Sequence, residues 1–262
     1  MSTVSHRWKR KISEETSRLL PETRIRRQVD GMEELLDLNF RSRVLDLGCG
    51  SGGQTLELAR RKFRVVGMDV SPKALSAARQ NGRDEELTVH FVALDMRRLP
   101  YDEEFNAVVN VRNPIGCFPK EKDDLECLRA AAQALKPGGK LFLDLLNREW
   151  VIRRLTQNDG DGAPFDIKTG RLDCASFRPR GQRPDNVGKT MRLYSLTEVT
   201  RMLKDAGLAF RRVCGGYDGC GYGVESLRMI VIAEKTRRPK ADVRKNDGDG
   251  FERALRIKGR PR

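Results

Sequence analysis

The chain has 262 residues, of which 51 are Lys or Arg and 37 are Asp or Glu, giving a formal charge of +14. That length can bury a substantial core in one large domain, or in one domain with an insertion. No apolar run approaches the ~18 residues that a membrane span needs, and the amino terminus lacks an apolar export core, so a soluble cytoplasmic protein is expected.

The charge is concentrated at the ends. Residues 1–30 carry 8 basic and 4 acidic side chains and residues 235–262 carry 11 and 4, which leaves +3 for everything between. The folded body is near balance, and charge runs at termini are more often solvated than functional. Nucleic acid therefore stays open as a partner for the tails but is not favoured. The six cysteines, Cys49, Cys117, Cys127, Cys174, Cys214 and Cys220, form no C-x-x-C pair, and no histidines stand at ligand spacing. Neither a metal site nor a disulfide framework is indicated.

In chain order, Ser13 to Leu20 reads as a short helix that Pro21 ends. From Glu22 to Leu38, Ile25, Val29, Met32, Leu35 and Leu36 recur at helical spacing, an amphipathic helix that packs on the first strand. Val44-Leu45-Asp46-Leu47 then runs into Gly48-Cys49-Gly50-Ser51-Gly52-Gly53 and the helical pattern Gln54 to Arg60. Strand, tight turn and helix in that order make a nucleotide pocket, where glycines admit positive φ and close approach of a ribose or phosphate. Gly48, Gly50 and Gly53 also satisfy the dinucleotide pattern of nicotinamide and flavin enzymes. Asp46 discriminates: it would repel a pyrophosphate, but not a cationic sulfonium ligand carrying an ammonium group.

The second strand, Arg64 to Met68, ends at Asp69. This residue lies 21 positions past Gly48, the separation at which a strand-end carboxylate can accept hydrogen bonds from both ribose hydroxyls. Ser71 and Pro72 open a helix through Arg79. A third strand, Thr88 to Leu94, leads to Asp95-Met96. The fourth, Phe105 to Asn110, runs into the loop Val111 to Phe118 at the sheet edge where open α/β folds place ligands. Asn113-Pro114-Ile115-Gly116 is only partly similar to the NPP[YFW] signature of adenine and glutamine-amide methylation; it lacks the second Pro and the aromatic and starts several residues late, so that specificity is rejected. A helix from Lys122 to Leu135, a stop and turn at Lys136-Pro137-Gly138-Gly139 and a fifth strand from Lys140 to Leu145 complete this half.

The strings LDLGCGSG, VGMDVSPKAL and ALKPGGKLFLDLLN, in that order, resemble the class I methyltransferases that use S-adenosylmethionine, and the resemblance covers about residues 22 to 235. It implies an α/β fold: a doubly wound, Rossmann-like seven-stranded sheet whose last strand is antiparallel. It also implies S-adenosylmethionine as cofactor, held by Asp46, Gly48, Cys49, Gly50, Gly52, Asp69, Val70, Asp95, Met96 and Asn110. In the family, an Asp like Asp95 bonds the adenine amino group, the backbone after it reads the ring, and Val70 would lie against the adenine face.

From Asn147 to Met191 the pattern changes. A short helix begins at Asn147, a polar loop follows, and Phe165–Ile167 and Leu172–Phe177 flank a Gly-containing turn as a β-hairpin, with a third strand from Thr190 to Tyr194. This resembles the small antiparallel β cap of one branch of the family, with N-R-E after the fifth strand and R-L-Y-[ST] before the next helix. The expected organisation is a basic tail over 1–21, a methyltransferase domain over 22–146 and 192–235, a cap over 147–191, and a disordered basic tail over 236–262. Ser195 caps a helix from Leu196 to Ala206; a sixth strand, Ala209 to Val213, a glycine-rich loop, Gly215 to Gly223, and a last strand, Arg228 to Glu234, follow. Two calcium-like strings, Asn158–Gly162 and Asn246–Gly250, put no carboxylate at the first or twelfth ligand position and read as turns.

Methyl transfer from a sulfonium is an in-line displacement, so the enzyme chiefly holds the acceptor in near-attack geometry and excludes water. The two histidines, His6 and His90, lie away from the strand ends that line the site, which argues against histidine base catalysis. Candidates for a base or positioning group are Tyr194, Tyr217, Tyr222 and Arg228 in the cap and late loop and Arg112 after the fourth strand; the alternative for each is packing or exposure. The leading expectation is methyl transfer to a small-molecule N or O acceptor. An RNA or protein methyltransferase that uses the basic tails, or a non-catalytic cofactor-binding module, are the alternatives.

Overall fold

The computed structural model describes residues 21–111, 115–156, 165–173 and 190–236. The tails, the predicted helix over 13–20, Arg112 and both calcium-like strings lie outside the described residues.

Apolar runs too short for helices and too continuous for a half-exposed sheet form the centre. Strands β1 (Arg43–Leu47), β2 (Arg64–Asp69), β3 (His90–Ala93), β4 (Phe105–Asn110) and β5 (Leu135–Leu146) pair parallel in the order 3-2-1-4-5. Burial on both faces is what their Val- and Leu-rich composition demands. Before β1 stands helix α1 (Pro21–Leu36); α2 (Gly53–Arg60), α3 (Pro72–Asp84) and α4 (Glu121–Ala134) make the crossovers, and α5 (Arg148–Thr156) follows β5. Pro21 begins α1, since the first helical position needs no N–H and suits its fixed φ.

Successive side chains of a strand point to opposite faces. Val44 accordingly joins Val29, Met32, Leu58 and Phe142 in one core, and Leu45 joins Val108, Leu128 and Leu141 in the other. After β5 the chain leaves for a second, three-stranded antiparallel sheet, β6 (Phe165–Asp166), β7 (Arg171–Asp173) and β8 (Thr190–Arg192). It seats Phe165, Leu172 and Leu193 on Leu146, Trp150 and Val151 at the end of β5 and in α5. Helix α6 (Leu196–Asp205) opens with a full capping box: Ser195 Oγ accepts from the Glu198 N–H, and the Glu198 carboxylate accepts from the Ser195 N–H. Strand β9 (Leu208–Cys214) and strand β10 (Arg228–Lys235) finish the main sheet, β10 inserted antiparallel between β5 and β9.

Several expected boundaries move, among them the third strand, which is His90–Ala93, and the last strand of the small sheet, which ends at Arg192. Lys136-Pro137-Gly138-Gly139 is not a turn between helix and strand: β5 begins at Leu135, opposite Phe105, and the ladder resumes at Lys140 opposite Ala107. The extra residues bulge out of the ladder, with Gly138 at φ 80° absorbing the kink. Helix α3 continues past Arg79 to Asp84 because Leu75, Ala78 and Gly82 carry its buried face on.

Candidate active site

At the carboxyl edge of the parallel strands, the turn after β1 runs through positive φ at Gly48, Gly50 and Gly52. A Cβ on Gly52 would stand 3.1 Å from Ala78 Cβ and 3.2 Å from Phe91 Cζ, so the loop lies tight on α3 and β3. One residue pair earlier, a Cβ on Gly50 would meet nothing within 4 Å, so the outer side of the turn faces open space. The N–H groups of Gly48 and Cys49 both donate to the Met68 carbonyl, tying the turn to β2.

Asp69 closes this corner. One carboxylate oxygen accepts from the Gly50 N–H at 2.9 Å and the other from the Ser71 N–H at 2.8 Å, so the side chain is fixed beside the turn with lone pairs to spare. Val70, next to it, is 63% exposed, an apolar face offered at the strand tip. The Cys49 side chain goes the other way, into a cluster with Leu56, Leu75, Ala78 and Phe91. Burial, then the charges of Asp46 and Asp69, push its thiol pKa up. Asp46 is buried as well, one oxygen accepting from the Thr55 hydroxyl at 2.6 Å. Its charge acts on the turn at Cys49.

Asp95 is less free than the sequence suggests. The Arg97 guanidinium forks onto it, Nη2 to Oδ2 at 2.6 Å, with the Arg97 N–H on Oδ1 at 2.9 Å, and holds the carboxyl below its ordinary range. Nε is shared between the two oxygens at 3.1 Å, so each already takes two donors and a ligand N–H is accepted only where it displaces part of this fork. Met96 is half-buried beside it. Asn110, at the end of β4, is fully buried; its Nδ2 donates to the Leu47 carbonyl at 3.0 Å and its Oδ1 has no partner. A buried acceptor left unpaired costs about 1–3 kcal/mol, and this one is at the foot of the glycine turn.

Residues 44–139 match the family described as a methyltransferase domain. Over 191 residues the chain is 34% identical to the ubiquinone biosynthesis O-methyltransferase of Hahella chejuensis, covering 63% of this chain and 78% of that one. The chain belongs to the class I S-adenosylmethionine-dependent methyltransferases. It is also 29% identical over 211 residues to a cypemycin N-terminal methyltransferase from Streptomyces, covering 73% of this chain and 82% of its relative. In fold it is similar to an S-adenosylmethionine-dependent methyltransferase from Clostridium acetobutylicum, with a TM-score of 0.66 at 14% identity over 88% of this chain and 98% of that one.

The enzyme is thus a methyltransferase whose methyl donor is S-adenosylmethionine, and the residues present fit that donor. It brings one cationic N–H-bearing group, which the orphaned Asn110 Oδ1 lacks; vicinal hydroxyls, which Asp69 can accept; and a flat apolar ring, which exposed Val70 can cover.

The five acceptor-side candidates part company. Arg112 lies outside the described residues. Tyr194 is 2% exposed, and its hydroxyl donates to Asp124 Oδ2 at 2.7 Å, so it packs inside. Burial also raises its pKa, as does Asp124 beside it, so it is no base near neutrality. Tyr217 and Arg228 come together on a residue the sequence reading missed, Asp144 of β5: the Tyr217 hydroxyl donates at 2.7 Å and Arg228 Nε at 2.6 Å. Tyr222 stands apart, its hydroxyl 3.1 Å from Asn147 Oδ1 and 3.0 Å from Glu149 Oε2.

Asp144, Asn147 and Asp124 were not singled out. Asp144 had a signal, a lone carboxylate in the apolar run LFLDLL. Asn147 had another, an Asn just before a helix, and it does cap α5 by accepting from the Glu149 N–H at 3.0 Å. Its Nδ2 also pins the late loop through the Gly223 and Ser226 carbonyls. Asp124 accepts from the Gly116 N–H at 2.6 Å, and burial pushes its pKa up to about 6. It joins the loop after β4 to Tyr194, while the Arg192 N–H donates to the Gly116 carbonyl from β8.

Proposed function

We propose that this enzyme methylates a nitrogen or oxygen of a small molecule held between the glycine turn and the three-stranded cap. What carries the reading is the pair Asp69 and Asn110: a carboxylate fixed beside the turn and a buried acceptor without a donor, both at the carboxyl edge of the sheet. Bound there, S-adenosylmethionine supplies a methyl group on a sulfonium. In this reading Asp69 takes the ribose hydroxyls, Asn110 Oδ1 the ammonium, Val70 and Met96 the adenine faces, Asp95 the adenine amino group, and the backbone of Gly48 to Gly52 the close approach. Asp46 contributes charge from below. Arg228 and Tyr217 act as positioning groups that fix Asp144 and the late loop, and residues 147–191 form the cap.

Small-molecule acceptors are favoured by the relatives, one named for a step of ubiquinone biosynthesis and one for N-terminal methylation of cypemycin. A cytoplasmic setting accords with the free thiols of Cys49, Cys117, Cys127, Cys214 and Cys220. Among the described residues no helix is long and apolar enough to cross a membrane.

Calorimetric titration with S-adenosylhomocysteine and with NAD tests the site. Binding of the first alone is expected, and Asp69→Ala should weaken it by tenfold or more, since a carboxylate accepting two hydroxyls is worth more than about 1.4 kcal/mol. Unchanged affinity removes the assignment of Asp69.

A further inference from the structure

The half-buried carboxylates near the ligand edge sort into two kinds. Asp95 holds the Arg97 guanidinium, and Glu198 holds those of Arg148 and Arg192. Asp69 and Glu149 take hydrogen bonds from uncharged donors only. Asp69 has its ligand role already; Glu149 has none. It is in the first turn of α5, directly past the carboxyl end of β5, where Tyr222 approaches its Oε2 at 3.0 Å and no described residue donates to its Oε1.

The hydrogen bonds in this corner do not balance. Tyr222 has one proton for two acceptors, Asn147 Oδ1 at 3.1 Å and Glu149 Oε2 at 3.0 Å, so it satisfies one at a time. Asn147 Oδ1 already takes the Glu149 N–H. What the corner lacks is a donor, and a carboxylate drawn partly out of water is completed best by a positive one. Its place suits a substrate. Tyr222 packs on the core cluster that contains Ile115, from the loop after β4, and Leu145, near the end of β5. Phenolate or carboxylate groups brought here would meet the Glu149 charge and be repelled.

We propose that Glu149, with Tyr222, binds the acceptor and that the acceptor is an amine. This rests on the methyltransferase reading above. Bound as an ammonium, the acceptor first gives a proton through the Glu149 carboxylate to water; its freed lone pair then forms the C–N bond to the methyl carbon as the S–CH3 bond breaks, that bond's electron pair going to sulfur, and the methylated ammonium leaves. Tyr222 keeps one Glu149 oxygen turned so that the other meets the amine.

The test is a radiolabelled-donor assay of the full chain against trialanine, spermidine, tyramine, catechol and benzoate, with products read by mass spectrometry. Tyramine offers an amine and a phenol on one scaffold. Label is expected on nitrogen, with Glu149→Gln lowering turnover at least tenfold while S-adenosylhomocysteine affinity by calorimetry stays within twofold. Tyr222→Phe, which removes one oxygen, should raise KM for the amine more than it lowers kcat. Label on the tyramine phenol, on catechol or on benzoate, no label on any amine, or full amine turnover by Glu149→Gln overturns the proposal. Failure of the wild-type chain to bind S-adenosylhomocysteine instead overturns the donor site on which it rests.

Discussion

Asp124 is fully buried, and its carboxyl is pushed up to about 6 from an ordinary 3.8, chiefly because burial penalises the charged form; the Gly116 N–H and the Tyr194 hydroxyl pull the other way. Protonation therefore stabilises the fold. The contribution is complete below pH 3.8 and is lost as the pH rises through about 6. With a shift of one unit equal to ~1.36 kcal/mol, the chain should gain on the order of 1 kcal/mol of stability between pH ~7.5 and pH ~5 from this residue. Other groups titrate over the same range, so the useful quantity is a difference. Asp124→Asn cannot ionise; its carbonyl can still accept from the Gly116 N–H, although its amide no longer accepts from Tyr194. Urea unfolding of the wild-type chain and Asp124→Asn at a series of pH values should show the variant improving relative to wild type by about 1 kcal/mol as the pH climbs from ~5 to ~7.5. Two stability curves that stay parallel across that range refute the assignment of a raised, buried carboxyl at this junction.

Tyr194→Phe removes the hydroxyl on Asp124 and so should destabilise by about 1–3 kcal/mol and move the pH dependence of stability to higher pH, read by the same urea series. Ser195→Ala breaks the capping box of α6 and should cost about 1 kcal/mol in urea unfolding, with no change in S-adenosylhomocysteine affinity. Gly52→Ala meets both a φ of 86° and the Ala78 Cβ at 3.1 Å; a loss of about 1–3 kcal/mol is expected in thermal unfolding, and an unchanged melting temperature would contradict the tight seat of the loop.

The donor half of the site was legible because its parts are close in the chain. The glycine turn is one continuous string, and Asp69, which bonds Gly50, is 19 residues from it across a single crossover. Strand order and period then put them side by side: once β1 and β2 pair in parallel, with Asp46 opposite Gly67, the turn and the strand tip share an edge. Even here local reading does not give a side chain's direction. The Cys49 side chain points into the Leu56 and Phe91 cluster, and Asp95 also holds Arg97 two residues on, a pairing that strand-end position does not reveal. The bulge at Lys136 to Gly139 was misread for a similar reason, since turn-forming residues also suit a ladder that must loop out extra chain.

The acceptor half was illegible because its contacts are long-range. Tyr194 meets Asp124 across 70 residues, Tyr217 meets Asp144 across 73, Tyr222 meets Asn147 across 75 and Arg228 meets Asp144 across 84. Tyrosines in a glycine-rich loop suggest reach without saying what they reach. The partner is set by β10, which inserts antiparallel between β5 and β9 and so brings Arg228 opposite Leu146, diagonal to Asp144 on the same face. That insertion turns a lone carboxylate in the run LFLDLL into the anchor of the late loop. It also divides the two tyrosines: Tyr217 is tied down on Asp144 against Phe142, whereas Tyr222 is left at the other face of β5 beside Glu149, a carboxylate with no cationic partner among the described residues. The residue proposed to meet the acceptor is therefore one whose motif, Asn147-Arg148-Glu149, gives no hint of what it faces.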